Sequence, residues 1–184
     1  YTKRVRLYAE TNFIRAAHGG TGEAKAAGNY AAAILPTENA KAKGYDQVLW
    51  LDAHNFKSIQ EVGTMNIFFK IKGKIITPNL DGAILAGITR MSVIELLRHK
   101  GYEVTERPIS IDEIIEASKN GTLEEAFGTG TAVGIAMIQE IGYKDNVIHV
   151  SNESSVGQMV LETINGVRAG KIPDELRWMI KIQV

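Results

Sequence analysis

Hydrophobic and polar positions follow two different periods along this chain, and segments of the two kinds interleave. Alternation in Arg4–Glu10 predicts a strand, and the apolar run in Gln47–Leu51 predicts a buried one. In Ile88–Lys100 apolar residues recur every three or four positions, which predicts a helix, and a last helix is predicted over Val156–Ala169. Strands and helices therefore alternate through the chain.

Turn residues between these segments favour hairpins. Lys72–Gly73 separates "NIFFKI" from "KIITP", and Asp145–Asn146 marks a second hairpin. Ser110 and Glu113 form a capping box at the start of another helix. Frequent hairpins among interleaved elements predict a mixed, partly antiparallel α/β fold, with residues 1–184 as a single domain, rather than a doubly wound parallel sheet.

Three segments have less regular patterns. An alanine-rich helix is expected from Asn29 to Lys43, with Pro36 kinking it or ending its first half. The glycine-rich segment Gly128–Gly134 is interpreted as a turn, and Trp178–Val184 as a terminal strand. The structure tests each of these assignments.

The composition is that of a globular domain without a strong overall electrostatic field. Lys plus Arg equals Asp plus Glu, at 21 each, so there is no basic field to recruit nucleic acid or an acidic membrane. No apolar run approaches the roughly 20 residues needed to span a bilayer. The absence of cysteine excludes disulfides and cysteine nucleophiles and is compatible with a cytoplasmic location. The start, "YTKRVRLYAE", lacks a methionine, and we expect the chain to belong to something longer.

The segment "GGTGEAKAAGNYAAA" places Lys25 among small residues. Glycine and alanine let backbone and ligand come close, so the lysine can be held for chemistry, although a flexible solvated loop has the same composition. It is not a phosphate loop of the Walker type. Such a loop needs glycine before the lysine and serine or threonine after it, whereas Ala24 and Ala26 occupy those positions.

Two other segments are candidates for holding an anion. Leu85–Arg90 places glycine and threonine at a helix start, where free N–H groups and the helix dipole attract negative charge. The backbone amides of Gly128–Gly134 can cradle an anion as well, although a plain turn has the same pattern. Together with a lysine in a permissive loop, these turns are consistent with a phosphorylated cofactor and an amine that holds its aldehyde.

Glu61 is the carboxylate that fits such a cofactor. A pyridine nitrogen needs a buried acidic partner if the ring is to act as an electron sink. Glu61 precedes a buried-looking strand, but a surface glutamate at a turn is the alternative interpretation. No metal site is predicted, because the histidines lack metal-ligand spacing.

Five blocks of the sequence resemble a known family. "GGTGEAKAAGNYAA", "QVLWLD", "EVGTMNIFF", "DGAILAGITR" and "FGTGTA" occur in the order, and near the spacing, found in branched-chain amino acid aminotransferases, pyridoxal-phosphate enzymes of fold type IV. The similarity runs over nearly the whole chain and implies the large C-terminal, cofactor-binding domain of these enzymes. D-amino acid aminotransferases and aminodeoxychorismate lyases share that fold, but the residues in these blocks are more similar to those of the branched-chain enzymes.

The resemblance implies a role for each matching residue. Lys25 matches the lysine that forms the Schiff base with pyridoxal 5'-phosphate, Tyr30 the tyrosine that hydrogen-bonds its phenolic oxygen, and Glu61 the partner of its pyridine nitrogen. The other implied contacts are Ile88, Thr89 and Thr131 with the phosphate, Thr131 and Ala132 with the substrate carboxylate, and Arg15 and Thr64 in the lining of the site.

The implied reaction moves the amino group of leucine, isoleucine or valine to 2-oxoglutarate. The family is typically a homodimer and has an N-terminal domain that is absent from this chain, so we expect weak or no activity of the chain by itself. Two alternatives stay open. One is a truncated cofactor-binding domain with little or no turnover, and the other is a sister enzyme acting on D-amino acids or aminodeoxychorismate.

Overall fold

The computed structural model describes residues 3–151, 155–180 and 182. Within these ranges the chain forms nine strands and five helices, and none of the helices is long and apolar enough to cross a bilayer. The strands are β1 (Val5–Ala9), β2 (Gln47–Leu51), β3 (Ile59–Val62), β4 (Asn66–Ile71), β5 (Lys74–Thr77), β6 (Val104–Glu106), β7 (Leu123–Gly130), β8 (Gly134–Tyr143) and β9 (Asn146–His149). The helices are α1 (Ala27–Ala31), α2 (Ile34–Ala42), α3 (Ile88–His99), α4 (Ile111–Lys119) and α5 (Val156–Arg168).

These strands form a mixed sheet. Their order is β3-β2-β1-β8-β7-β4-β5-β6, with β9 paired to β8. Strand β1 is parallel to both β2 and β8, and β5 is parallel to β6, whereas the other pairings are antiparallel. The predicted mixed, partly antiparallel α/β fold is confirmed, as are the hairpin at Lys72–Gly73 and the hairpin between β8 and β9.

A tight turn brings two parts of the sheet together. Val62 and Met65 exchange backbone hydrogen bonds of 2.9 and 2.8 Å, and this turn joins β3 directly to β4. The strand path from β3 through β1 and β8 to β4 therefore curls around an apolar interior. Side chains of this interior include Leu7, Leu49, Ile67, Phe69, Ile138 and Ile141. Full burial of a side chain of this size stabilises the fold by about 1.5–3 kcal/mol.

Helices α3 and α5 cover the opposite face of β4 and β7. Phe68 and Phe127 stack there with ring centroids 5.2 Å apart and an interplanar angle of 6°. Val93 and Leu97 from α3 and Val160 from α5 complete this second cluster. The packing fixes where α3 begins relative to the end of β7.

A buried glutamate of the sheet caps α5. Glu125 on β7 accepts hydrogen bonds of 3.0 Å from the N–H groups of Val156 and Gly157, and one of 3.2 Å from the Ser155 hydroxyl. Ser155 itself provides no side-chain cap for the helix. Because the first N–H groups of a helix have no partner within it, Glu125 both satisfies them and anchors the helix to the sheet.

The helix predicted over Asn29–Lys43 is two helices, and the prediction for Pro36 is wrong in position. Helices α1 and α2 are separated at Ala32–Ala33, and Pro36 lies in the first turn of α2. A proline ring clashes with the carbonyl four residues earlier, which here belongs to Ala32. The interruption therefore falls before the proline rather than at it.

The segment Gly128–Gly134 is mostly strand, so its interpretation as a turn is corrected. Strand β7, which the sequence pattern did not reveal, includes its first residues, and only Thr131–Val133 form a turn before β8. A Cβ on Gly128 would lie 3.0 Å from the side chain of Val62 and 3.1 Å from that of Met65. The small residue here serves close packing against the β3–β4 turn.

The predicted terminal strand is not formed in its described part. Trp178–Ile180 have no strand pairing, and Lys181, Gln183 and Val184 lie outside the described residues. The indole N–H of Trp178 instead donates to Glu95 on α3 at 2.8 Å. The segment is therefore held against a helix rather than added to the sheet.

Replacing the capping glutamate tests its structural importance. We expect Glu125→Ala to lower the free energy of unfolding by about 3 kcal/mol, because two buried N–H groups and the Ser155 hydroxyl lose their acceptor. Urea denaturation followed by circular dichroism measures this loss. Glu116→Ala, on the exposed side of α4, is the control and should change it by less than about 0.5 kcal/mol. A loss no greater than that of the control would contradict the capping role.

Candidate functional site

The loop between β1 and α1 holds Lys25 beside Tyr30. The Nζ of Lys25 donates a hydrogen bond of 2.9 Å to the Tyr30 hydroxyl. The buried side chain of Asn29 closes the loop by donating to the carbonyls of Thr21 and Ala24 at 2.7 and 2.9 Å. The lysine is exposed to solvent, but the loop that carries it is fixed by these bonds.

Arg15 and Glu61 form a buried ion pair behind this loop. The Nε of Arg15 lies 3.0 Å from a carboxylate oxygen of Glu61, and the two side chains are 7% and 4% exposed. The same guanidinium donates to the carbonyls of Gly22, in the lysine loop, and of Ala83, in the segment before α3. The N–H of Leu85 donates to the other oxygen of Glu61 at 2.8 Å. One ion pair thus connects three segments.

Burial raises the pKa of the Glu61 carboxyl from 4.5 to about 7. The charges of Arg15 and Lys25 and the hydrogen bond from Leu85 act in the opposite direction. The ion-pair distance by itself favours the carboxylate, but loss of solvent outweighs it. Near neutral pH both protonation states are therefore populated, and a further cationic neighbour would shift the group to the carboxylate.

Asn66 connects Glu61 to the start of α3. Its side-chain amide donates to the carbonyl of Leu85 at 2.8 Å and lies 3.4 Å from Glu61. Its carbonyl oxygen occupies the space that a Cβ on Gly87 would need. Gly87 is the N-cap of α3 and offers no side chain to the first-turn N–H groups, and that turn contains no acidic residue. The helix start is therefore suited to an anion.

The structure gathers the predicted residues into two linked groups. Arg15, Tyr30, Glu61 and Thr64 line one small cavity together with Asn29 and Leu85. Ile88, Thr89 and Thr131 line a groove of about 200 Å³ at the start of α3. Ala132 lies exposed in the turn after Thr131, and Lys25 touches the first group through Tyr30.

Three residues near the site were missed by sequence reasoning: Asn29, Asn66 and Thr129. The hydroxyl of Thr129 is buried and has no hydrogen-bond partner among the described residues. An uncapped helix start, such as that of α3, fits a phosphate group. Among the residues that the structure describes, no group of three or more His, Asp or Glu side chains could hold a metal ion.

A wider groove of about 320 Å³ lies elsewhere, against α4. It is lined by residues such as Lys72, Arg107 and Glu116 and contains none of the predicted site residues. Size therefore does not identify the candidate site in this molecule, whereas the convergence of Lys25, Tyr30 and Glu61 does.

Comparison with known proteins shows the family to which the chain belongs. Residues 3–141 match the family described as Amino-transferase class IV. The chain is 49% identical over 182 residues to branched-chain-amino-acid aminotransferase 2 of Bacillus subtilis, covering 98% of this chain and 50% of that protein. The chain thus belongs to the class IV aminotransferase family, and it spans about half the length of the curated relatives it matches.

Solved structures of branched-chain aminotransferases share the fold. The enzyme of Thermoproteus uzoniensis, with norvaline, has a TM-score of 0.80 and 32% identity, over 96% of this chain and 55% of that one. The Escherichia coli enzyme has a TM-score of 0.79 and 25% identity, over 95% and 56%. Another branched-chain enzyme, complexed with N-(5'-phosphopyridoxyl)-L-glutamate, has a TM-score of 0.80 and 27% identity, over 95% and 55%. The fold type IV architecture expected from the resemblance is confirmed.

Two glycines of the lysine loop should respond oppositely to alanine. A Cβ on Gly22 would overlap the Ala83 carbonyl and lie 2.6 Å from the Ala83 Cα, so Gly22→Ala should separate the two segments that Arg15 joins. We expect it to lower the free energy of unfolding by about 1–3 kcal/mol. Gly28 has open space around its Cβ position and lies within α1, so Gly28→Ala should be neutral or stabilising by up to about 1 kcal/mol. Thermal unfolding measures both variants, and an equal loss of unfolding free energy in the two would contradict the close contact at Gly22.

The raised pKa of Glu61 predicts how the stability of the cofactor-free chain varies with pH. Since the folded state binds the proton more tightly than the unfolded state, this stabilisation is complete below about pH 4.5 and is lost as the pH rises to about 7. The predicted loss is about 3 kcal/mol. Urea denaturation between pH 4.5 and 8 measures it, and Glu61→Gln should flatten that part of the profile. An unchanged slope in the variant would assign the dependence to other groups.

Proposed function

We propose that this chain is the cofactor-binding domain of a pyridoxal-phosphate-dependent branched-chain aminotransferase. One observation carries the proposal: the Lys25–Tyr30 pair, the Arg15–Glu61 pair and the uncapped start of α3 lie in series. Tyr30 lines the same small cavity as Arg15 and Glu61, and Leu85, shortly before α3, donates its N–H to Glu61. Such a series provides an amine, a buried acid and an anion site at successive positions. Class IV family membership and the phosphopyridoxyl group in one of the similar solved structures support the same cofactor.

Each side chain has a role that follows from its surroundings. Lys25 is the amine that holds the cofactor, and the Tyr30 hydroxyl beside it is the partner of the phenolic oxygen. Glu61 would receive the pyridine nitrogen, and a protonated nitrogen beside it would lower the pKa of the carboxyl and favour its ionised form. Arg15 favours the ionised form of Glu61 and fixes its orientation. It is a positioning residue rather than a proton donor.

The groove at α3 holds the phosphate in this proposal. Ile88, Thr89 and Thr131 line this groove, and no side chain caps the first turn of α3. The backbone of Thr131 and Ala132 would bind the substrate carboxylate, and Thr64 borders the cavity of Glu61. Phosphate at one end and Glu61 at the other would orient the ring between them.

The cofactor, when bound, supplies an electron sink that makes the α-proton of an amino acid removable. The chain's own contribution is proton transfer and orientation. The Nζ of Lys25, when it is not bonded to the cofactor, would take the proton from the substrate α-carbon and deliver it to the cofactor carbon that carried the aldehyde. Tyr30 keeps that amine in place through the hydrogen bond between them.

The finer assignments are also proposals. We propose leucine, isoleucine or valine as donors, 2-oxoglutarate as acceptor, a cytoplasmic location and a homodimeric full-length enzyme. Since the chain covers only half of its relatives, we expect turnover well below the ~10 per second that is ordinary for enzymes. Turnover of D-alanine in preference to leucine would favour a sister enzyme, and cofactor binding without turnover would favour a truncated domain.

Covalent trapping tests the central assignment. Pyridoxal phosphate is added, the visible absorption band is recorded, and borohydride reduction fixes the adduct for peptide mapping. The modification is expected on Lys25, with loss of both band and adduct in Lys25→Ala. Lys41→Ala, an exposed lysine of α2 paired with Glu38, is the matched control and should retain both. Labelling spread over many surface lysines in the unmodified sequence would refute the assignment.

A further inference from the structure

Thr129 is buried in an unusual way for a hydroxyl side chain. It lies on β7 directly opposite Asn66 on β4, is 1% exposed, and its Oγ1 has no hydrogen-bond partner among the described residues. Buried hydroxyls are normally paired, because an unpaired one loses its bonds to water without replacement. The described part of the chain therefore supplies no partner for this hydroxyl.

The position of Thr129 in the fold indicates what kind of partner its hydroxyl binds. Phe127, two residues earlier on the same strand, packs against α3, so Thr129 faces the same helix. Gly130 points the other way, toward Met65. Across the strand pair, the side chain of Asn66 lies against Gly87, the N-cap of α3. Thr129 thus lies on the face of the strand pair that meets the start of α3, with Asn66 between it and Gly87.

The other buried atoms without partners do not compete for this role. The Nε of Arg15 lies in the ion pair with Glu61, and the Nε of Arg90 belongs to a guanidinium group that already binds Glu106. The unpaired oxygen of Gln60 belongs to β3 rather than to the α3 groove. Among the described residues, Thr129 combines an unpaired side-chain donor with a position on the strand face that meets the uncapped start of α3.

We propose that Thr129 is a phosphate-binding residue, donating its hydroxyl hydrogen to an oxygen of the cofactor phosphate at the start of α3. This inference rests on the proposed function and extends its phosphate contacts beyond Thr89 and Thr131. A phosphate oxygen carries charge and has free lone pairs, so it is a stronger acceptor than a neutral group. The role concerns the phosphate alone and leaves the ring contacts at Lys25 and Glu61 unchanged.

The test uses the whole chain and two substitutions. Thr129→Val keeps the branched shape and removes the hydroxyl, whereas Thr129→Ser keeps the hydroxyl. Dissociation constants are measured by spectroscopic titration with pyridoxal phosphate and with pyridoxal, which lacks the phosphate. We expect Thr129→Val to weaken pyridoxal phosphate binding about tenfold or more and pyridoxal binding less than twofold. Thr129→Ser should stay within about threefold of the original chain for both.

Thermal unfolding without cofactor separates this role from a structural one. If the hydroxyl serves only a bound anion, Thr129→Val should unfold at the same or a higher temperature, since an unpaired buried polar atom has been removed. If it serves the fold, the variant should unfold earlier and bind both ligands more weakly. That second pattern would overturn the proposal, as would equal binding of pyridoxal phosphate by the variant and the original chain.

Binding of inorganic phosphate tests the role of Thr129 independently of the proposed function. If no adduct forms on Lys25, the proposed function fails, but the anion site can still be examined. Phosphate should then raise the unfolding temperature of the original chain and of Thr129→Ser more than that of Thr129→Val. Equal shifts in all three would refute the role of Thr129 whatever happens at Lys25.

Discussion

The contact between Arg15 and Glu61 is the interaction on which the candidate site depends. Neither side chain reaches water to any extent, so each relies on the other and on nearby backbone groups for compensation. Those backbone groups belong to the lysine loop and to the segment before α3. Removing either partner would therefore leave an uncompensated charge and release two loops together. A single ion pair fixes the relative positions of the amine, the acid and the helix start.

The fold separates the parts that stabilise it from the groups that could react. The sheet and its two apolar clusters provide the stabilisation, whereas the site contains groups that are costly to bury: a carboxyl with a raised pKa, an uncapped helix start and an unpaired hydroxyl. Each cost is of a kind that a bound cofactor with a ring nitrogen and a phosphate would reduce. The cofactor-free fold is thus less stable than its core alone would allow, and binding should tighten the whole region.

The sequence predicted much of the fold because local patterns determine local structure. The Ser110 side-chain cap and the glycine hairpin at Gly73 depend on neighbours in the chain and were found where expected, although the Glu113 carboxylate pairs with Arg107 instead of completing the capping box. Strand β7 was missed because its glycines serve packing against Met65, a contact between distant residues that no local pattern reveals. In the same way, Lys25 and Glu61 stood out by residue type and resemblance. The unpaired hydroxyl of Thr129 depends on burial and register, which only the assembled sheet determines.

The place of β1 in the sheet has a consequence for the order in which the molecule is made. Val5 pairs with Ile138, so the strand that leads into the lysine loop lacks one of its two neighbours until β8 has been synthesised. Pairings between such distant residues form slowly, because the entropy of closing a long loop must be overcome first. On the ribosome, Lys25 would emerge well before β8 and remain loosely held until that strand follows. The amine that we propose as the reactive group thus takes its place among the last parts of the fold, which delays capture of an aldehyde until a complete sheet can hold it.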